Sequence, residues 1–227
     1  MVSNRTIWAV VAFKGFATAK QRLSPVFSSR FREALSRAML EDVLTMLRGV
    51  PGLAGVMVAT PDRAAADIAH GHGAAVIEDS PGQDYAGAVT EAAQHLATQN
   101  SDGLLCLPAD VPAATAAEVT RLLAGHPEGP GYSIVPAHDR RGTNAILVTP
   151  PAGVPFSFGP DSFLRHLALA RQAGLDPRIA ILSGIGRDLD TAEDCHALLA
   201  MLPPGRTLDL LQQSRLDLGA RAQRTAS

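Results

Sequence analysis

The sequence predicts an α/β fold in which a mostly parallel sheet is covered on both faces by helices. Short apolar runs alternate with segments of helical periodicity through the first half of the chain. These runs are nearly continuous in apolar residues, as expected for strands that are buried on both faces. The chain has 227 residues, of which 46% are hydrophobic and 19% charged, so it can bury a large core.

In the first half, each predicted strand is followed by a predicted helix. The first helix shows the clearest apolar spacing, and Pro51 with Gly52 ends it. The predicted strands are residues 7–13, 56–60, 74–78 and 104–107. The predicted helices are residues 28–47, 64–70, 85–98 and 114–124.

The alternation is looser in the second half. Residues 132–137 and 144–149 are predicted to pair as a small antiparallel insertion, joined by a turn at 139–142. A helix at 161–173, a last sheet strand at 178–182 and a helix at 192–201 follow. From about residue 203 we expect a docked helix and then a frayed tail. Without a repeat or linker, residues 1–227 are expected to form a single domain.

Composition limits the classes of partner. A formal net charge of −2 provides no long-range attraction to nucleic acid or to an anionic membrane, so a polyanion must be bound by a local basic site. No apolar run approaches the roughly 18 residues of a membrane span, and no signal-peptide pattern opens the chain. We therefore expect a cytoplasmic protein. Apolar surface on the final helices could pair two copies as a homodimer.

Three aspartates stand at the ends of apolar runs. Asp110 follows the fourth strand, and Asp188 and Asp190 follow the last one. Alternate residues of an extended segment point the same way, so both of the later carboxylates can face one ion. Carboxylates ~4 Å apart repel by about 4 kcal/mol at an effective dielectric of 20, and Mg²⁺ would remove that penalty. The alternative is that each aspartate caps the helix that follows it.

A basic loop follows the first strand. Lys14, Lys20 and Arg22 surround Gly15 and other small residues, which lets the backbone approach a triphosphate that the cations neutralise. The Gly-Lys-Ser/Thr ending of a Walker A loop is missing. Taken alone, such a loop is more often a solvated surface. Its position at the carboxyl end of the first strand favours a ligand site.

Two further loops combine small residues with hydroxyl groups. Thr143 follows Gly142, and Gly159 precedes Ser162 at the start of a predicted helix, so both loops can bind a small phosphorylated acid. An ordinary hairpin turn and an ordinary helix cap are the alternatives. His138 and His166 lack partners at metal-ligand spacing and are expected to be solvated or core residues.

Read together, these segments resemble the 2-phospho-L-lactate, phosphoenolpyruvate or 3-phosphoglycerate guanylyltransferases of coenzyme F-420 biosynthesis. The resemblance extends from about residue 7 to residue 200 and is carried by six segments in the family's order. They are residues 11–23, 39–44, 107–112, 142–147, 158–166 and 188–194. The likeness implies a three-layer nucleotidyltransferase fold of the Rossmann-like, glycosyltransferase-A kind.

The resemblance also implies a reaction and a set of roles. The phosphate of the acid would attack the α-phosphorus of GTP and release pyrophosphate. Asp110, Asp188 and Asp190 would hold Mg²⁺, and Asp110 would also face the nucleotide. Lys20 and Arg22 would bind the triphosphate. The acid would be bound by Lys14, Thr143, Gly159 and Ser162.

Two departures from the family pattern leave alternatives open. The chain has Asp84-Tyr85-Ala86-Gly87 where the family usually has a Leu-Asn pair, which leaves the base preference open, and Ala12 where it usually has proline. A molybdopterin- or sugar-phosphate-type nucleotidyltransferase is one alternative, and a non-catalytic nucleotide-binding module is another. The identity of the acid also stays open, because related acids need only small changes of pocket.

Overall fold

Seven strands form one sheet in the computed structural model, which describes residues 5–17, 19–78, 80 and 82–214. The strands are β1 (Ile7–Ala12), β2 (Leu53–Thr60), β3 (Ala75–Glu78), β4 (Gly103–Cys106), β5 (Gly131–Pro136), β6 (Thr143–Thr149) and β7 (Arg178–Ile179). Their order across the sheet is β3-β2-β1-β4-β6-β5-β7. Each of the first four strands pairs in parallel with its neighbours among them.

Helices connect the strands and cover the sheet. They are α1 (Ser29–Arg48), α2 (Arg63–Gly71), α3 (Tyr85–Thr98), α4 (Ala116–Ala124), α5 (Ser162–Gln172) and α6 (Ala192–Leu198), with a 3-10 turn at Gln21–Leu23. A further helical segment occupies residues 206–214. The adjacent residues Val10 and Val11 of β1 point to opposite faces, and neither is exposed to solvent. The sheet is therefore buried on both faces, and the predicted fold class is confirmed.

The antiparallel pair lies inside the sheet. β6 runs antiparallel to both of its neighbours, β4 and β5, while β5 and β7 are parallel to each other. Because β6 is reversed, its first residues, Thr143 and Asn144, lie at the edge where the parallel strands end. The hairpin that the sequence predicts thus contributes to the edge where ligands bind in open α/β sheets.

Several element boundaries differ from the predictions by a few residues, and contacts explain two of these differences. The last strand is only two residues long. The amide of Ala180 donates to the carbonyl oxygen of Ile134, and after that hydrogen bond the chain leaves the sheet and packs a turn against α4. At this turn the amide of Gly184 donates to Glu118, and a Cβ on Gly184 would lie 2.2 Å from the carbonyl oxygen of Ala113. The α4 helix starts two residues later than predicted because Thr115 and Glu118 form a capping box.

Among the described residues, no helix is long and apolar enough to cross a membrane. The helix predicted after residue 203 is present over residues 206–214. The predicted frayed tail lies outside the described residues.

The C-terminal helical segment is capped by a distant side chain. The Asp42 carboxylate accepts hydrogen bonds from the backbone amides of Arg206 (3.0 Å) and Thr207 (2.8 Å), at the start of that segment. The neighbouring Glu41 forms an ion pair with the Arg206 guanidinium. Two acidic residues of one of the family-like segments therefore hold the C-terminal helix against α1.

Asp42→Ala is expected to lower the free energy of unfolding by about 1–2 kcal/mol, because two helix-terminal amides lose their acceptor. Urea denaturation measures the change. Asp67→Ala, on the exposed side of α2, serves as the control and should change stability by less than about 0.5 kcal/mol. Equal effects of the two substitutions would contradict a capping role for Asp42.

Candidate active site

Lys20 lies between two of the three predicted metal-binding carboxylates. Its ammonium is 2.7 Å from an oxygen of Asp110 and 2.7 Å from an oxygen of Asp190. Only 8% of the Lys20 side chain is exposed. Burial alone lowers the pKa of this amine, but the charges of Asp110 and Asp190 outweigh burial and raise its pKa to about 12. Lys20 is therefore a cation throughout the physiological range.

Lys20 is held in this position by its backbone. The residue has φ of +54°, in the left-handed region that is costly for a side chain with a Cβ, and it precedes the 3-10 turn that ends at Leu23. Leu23 is completely buried and anchors the turn. The Arg22 guanidinium lies 3.9 Å from Asp190 and is largely exposed.

The segment from Asp188 to Asp190 is fastened to Asp110. The amide of Leu189 donates to the carbonyl oxygen of Asp110 (2.9 Å), and the Leu189 side chain is fully buried. The aspartates on either side of Leu189 consequently face the opposite way, towards the sheet edge. The sequence prediction that residues far apart in the chain meet here is supported by these contacts.

The side chains of these aspartates do not cap helices. Thr191 and Asp194 form the capping box of α6, and Thr115 caps the helix that follows Asp110. The Asp188 carboxylate instead accepts a hydrogen bond from the side-chain amide of Asn144 (3.2 Å). Burial raises the pKa of Asp188, and the neighbouring charge of Asp110 raises it further. This cluster of acids therefore stabilises a cation.

An aspartate between β2 and α2 organises the loop after β1. One oxygen of Asp62 accepts from the amide of Phe16 (3.0 Å), and the other accepts from the first amides of α2. Gly15 has φ of +124°, and a Cβ there would lie 3.1 Å from Asp62. Glycine at this position lets the loop pack against Asp62.

The hydroxyl-bearing loops meet through α5. The Ser162 hydroxyl donates to Thr143 Oγ1 (3.3 Å), and the amide of Phe163 donates to the carbonyl of Arg141 (3.0 Å). His166, one turn further along α5, has its Nδ1 atom 3.0 Å from Thr143 Oγ1. His166 is a core residue, as predicted, and it also contacts a predicted site residue.

Two cavities meet at the carboxylates. The first is lined by Lys14, Gly15, Lys20, Tyr85 and Asp110, among others. The second is lined by residues that include Thr143, Gly159, Ser162 and Asp188. Arg22 and Asp190 line both cavities. Lys14 therefore lines the first cavity, together with Lys20. The sequence had grouped Lys14 with Thr143, which lines the second cavity.

The oxygen ligands at this edge suit a hard divalent cation in chemical type. In the described part of the chain, no three histidine, cysteine, aspartate or glutamate side chains are already grouped to hold a metal ion. Asp110 and Asp190 instead bind the Lys20 ammonium, which provides the positive charge between them. The pKa of Asp188 is raised by burial and by the negative charges of Asp110 and Asp190, which repel its own. Carboxylate oxygens in such a cluster fit Mg²⁺, which also takes phosphate oxygens as ligands.

Some contributors were missed by sequence reasoning. Asp62 was not among the predicted site residues, and Asn144 belonged to the family-like segment 142–147 without an assigned role. His166 was interpreted as a core residue without a partner. Its spacing from Ser162, one helical turn, was the available signal, because such residues share a helix face.

Two buried histidines predict a loss of stability in acid. Burial lowers the pKa of His126 and of His166 to about 4. The unfolded chain binds a proton at each near pH 6.5, so the free energy of unfolding decreases as the pH falls from about 6.5 towards 4. Each histidine should account for about 2 kcal/mol at pH 5. Urea unfolding at about pH 6.5 and about pH 4 measures the loss of unfolding free energy.

His126→Gln should make that loss smaller than in the wild type. A loss equal to that of the wild type would contradict the contribution of His126.

The same fold is found in a solved structure. A nucleotide-diphospho-sugar transferase structure from Desulfovibrio desulfuricans G20 matches with a TM-score of 0.77 at 18% identity, covering 93% of this chain and 96% of that one. The match supports the fold.

Sequence relatives identify the family. The family model described as "Guanylyl transferase CofC like" matches residues 7–223. The phosphoenolpyruvate guanylyltransferase of Rubrobacter xylanophilus is 38% identical, covering 86% of this chain and 94% of the relative. The 3-phospho-D-glycerate guanylyltransferase of Colwellia psychrerythraea is 34% identical, covering 88% of this chain and 94% of that protein. The family model and these relatives show that the chain is a nucleotidyltransferase. It belongs to the CofC-like guanylyltransferase family, and the predicted resemblance is confirmed.

Proposed function

We propose that this protein transfers GMP from GTP to a phosphorylated three-carbon acid and releases pyrophosphate, in a metal-dependent step of coenzyme F-420 biosynthesis. The acid would be 2-phospho-L-lactate, phosphoenolpyruvate or 3-phosphoglycerate. The names of relatives at 34–38% identity support guanylyl transfer to an acid of this class.

The observation that carries the proposal is the position of Asp190. It contacts the Lys20 ammonium at 2.7 Å and lines both cavities. One cavity is bounded by the basic loop, which suits a triphosphate, and the other by hydroxyl groups and a glycine loop, which suit a small anion. The two reactants would therefore meet at the acidic edge, where charge builds up during transfer.

In the proposed reaction, an oxygen of the acid's phosphate forms a bond to the α-phosphorus of GTP. The bond from that phosphorus to the oxygen bridging the α- and β-phosphorus breaks, and pyrophosphate leaves with its electron pair. Lys20 and Arg22 would neutralise the departing pyrophosphate. Thr143, Ser162 and the backbone at Gly159 would orient the acid. Positioning and charge neutralisation suffice for this in-line transfer.

Asp110, Asp188 and Asp190 would hold the proposed Mg²⁺. The ion would neutralise phosphate charge and make the α-phosphorus more electrophilic. Because Lys20 contacts one oxygen of each of two of these carboxylates, we expect its ammonium to move when the ion binds. Lys20 could then reach the triphosphate, as the sequence predicts.

A pyrophosphate-release screen tests the function. Purified protein with Mg²⁺ is given each nucleoside triphosphate with each of the three acids in turn. The proposal expects release from GTP only when one of the acids is present, and none with EDTA. Release from CTP with a sugar phosphate would instead support the sugar-phosphate alternative. Tight GTP binding without turnover on any acid would favour a non-catalytic module.

A further inference from the structure

His166 lies at the centre of a buried hydrogen-bond chain behind the second cavity. The side chain has no exposure to solvent. The backbone amide of Ser157 lies 2.9 Å from its Nε2 atom, and Thr143 Oγ1 lies 3.0 Å from its Nδ1 atom. The Phe158 ring packs edge-on against the imidazole, with centroids 4.9 Å apart. The imidazole is therefore fixed in orientation.

The amide of Ser157 determines which nitrogen carries the proton. A backbone amide can only donate, so Nε2 must accept and be unprotonated. In the neutral ring the proton is then on Nδ1, which donates to Thr143 Oγ1. The pKa of His166, lowered by burial to about 4, agrees with a neutral ring.

Thr143 Oγ1 consequently accepts from His166 and, at 3.3 Å, from the Ser162 hydroxyl. An oxygen that accepts two hydrogen bonds has its own proton left to donate. Thr143 and Ser162 both line the second cavity. If the bond between the two hydroxyls were reversed, the spare proton would be on Ser162, so in either arrangement the pair offers one donor.

We propose that His166 is a positioning residue that commits the hydroxyl pair of Thr143 and Ser162 to donate one hydrogen bond to an anionic oxygen of the acceptor acid. This inference rests on the proposed function, because it assumes that the acid binds in the second cavity. Carboxylate oxygens carry no proton at neutral pH, and a phosphate monoester is mostly a dianion there. A fixed donor therefore favours these groups over a hydroxyl group, which can adapt to either role.

Two substitutions at His166 separate the donor from the rest of the ring. Asparagine places its amide nitrogen near the position of Nδ1 and can still donate to Thr143. Glutamine reaches the position of Nε2, keeps the contact with the Ser157 amide and loses the donor. His166→Gln should raise the acceptor KM about tenfold with the GTP KM unchanged, while His166→Asn should stay within about threefold of the wild type.

A double-mutant cycle tests whether His166 acts through Thr143. Thr143→Val should raise the acceptor KM about tenfold by itself. Adding His166→Gln to that variant should change the acceptor KM by less than about twofold, because the affected hydroxyl is already missing. Independent effects that multiply would overturn the proposal.

His126 provides a matched control. This buried histidine bonds the hydroxyl groups of Ser133 (2.8 Å) and Thr149 (3.0 Å), and Thr149 lies at the opposite end of β6 from Thr143. His126→Gln should lower the melting temperature but leave the acceptor KM unchanged. A purely structural His166 would behave in the same way, and that result would overturn the proposal.

Nitrogen-15 NMR of the wild-type protein gives a test that needs no variant. The proposal expects the His166 signal of a neutral ring protonated on Nδ1 at neutral pH, and a proton on Nε2 would overturn it. If the wild type releases pyrophosphate with an acid but His166→Gln leaves the acceptor KM unchanged, only this inference fails. If the wild type releases none with any of the three acids, the proposed function fails and the inference fails with it.

Discussion

Asp190→Asn is expected to lower kcat/KM for pyrophosphate release about 10³-fold, with the protein still folded. Asp190 contacts Lys20, lies near Arg22 and lines both cavities, so its charge acts where the two reactants would meet. Asparagine keeps the size of the side chain but removes the charge that would hold a cation. Steady-state kinetics with GTP and the best acid measures the loss.

Asp102→Asn is the matched control for this prediction. The Asp102 carboxylate accepts hydrogen bonds from the backbone amide and the hydroxyl of Thr6. Thr6 precedes β1, so this contact lies at the end of the sheet opposite to the candidate active site. The substitution should leave kcat/KM within about twofold of the wild type. Retention of more than about a tenth of the activity by Asp190→Asn would contradict the assigned role.

Lys20→Met should have two opposite effects. Without the ammonium, Asp110 and Asp190 are left to repel each other, so Mg²⁺ should bind the nucleotide-free protein about tenfold more tightly than it binds the wild type. Turnover should nevertheless fall about 100-fold, because the triphosphate loses a cation. Calorimetric titration with Mg²⁺ and steady-state kinetics measure the two effects separately.

Arg22→Met is the control for Lys20→Met. The Arg22 guanidinium is 3.9 Å from Asp190 and 73% exposed, so solvent screens its interaction with the acids. Its replacement should change Mg²⁺ affinity by less than about twofold. Weaker Mg²⁺ binding by Lys20→Met would show that the ammonium does not occupy the place of the ion.

The sheet and the three acids could be predicted from the sequence because local patterns encode both. Strands buried on both faces are recognisable as apolar runs, and parallel strands end at one edge. Asp110 and the pair at 188 and 190 directly follow such runs, so their convergence follows from topology. The resemblance to one family added the roles that spacing alone left undecided.

Contacts between distant residues could not be predicted in the same way. The assignment of Lys20 to the triphosphate stays a prediction, but no local pattern indicates that its ammonium also contacts acids 90 and 170 residues away in the chain. Lys14 was grouped with Thr143, but the bend at Gly15 keeps it beside the other cavity. The last strand was predicted, but not that it ends at Ile179, because the turn at Gly184 is set by packing against Ala113. Local periodicity does not record such packing.

The reversed strand β6 has a consequence for how this enzyme family can diversify. Thr143, at the start of β6, and Ser162, at the start of α5, form a wall of the second cavity, and the loop after β1 bounds the first. Arg22 and Asp190 line both cavities. If the proposed function holds, mutations in that wall would change the choice of acid and leave the residues around the nucleotide unchanged. Relatives named for phosphoenolpyruvate and for 3-phospho-D-glycerate are compatible with such a division between the two cavities.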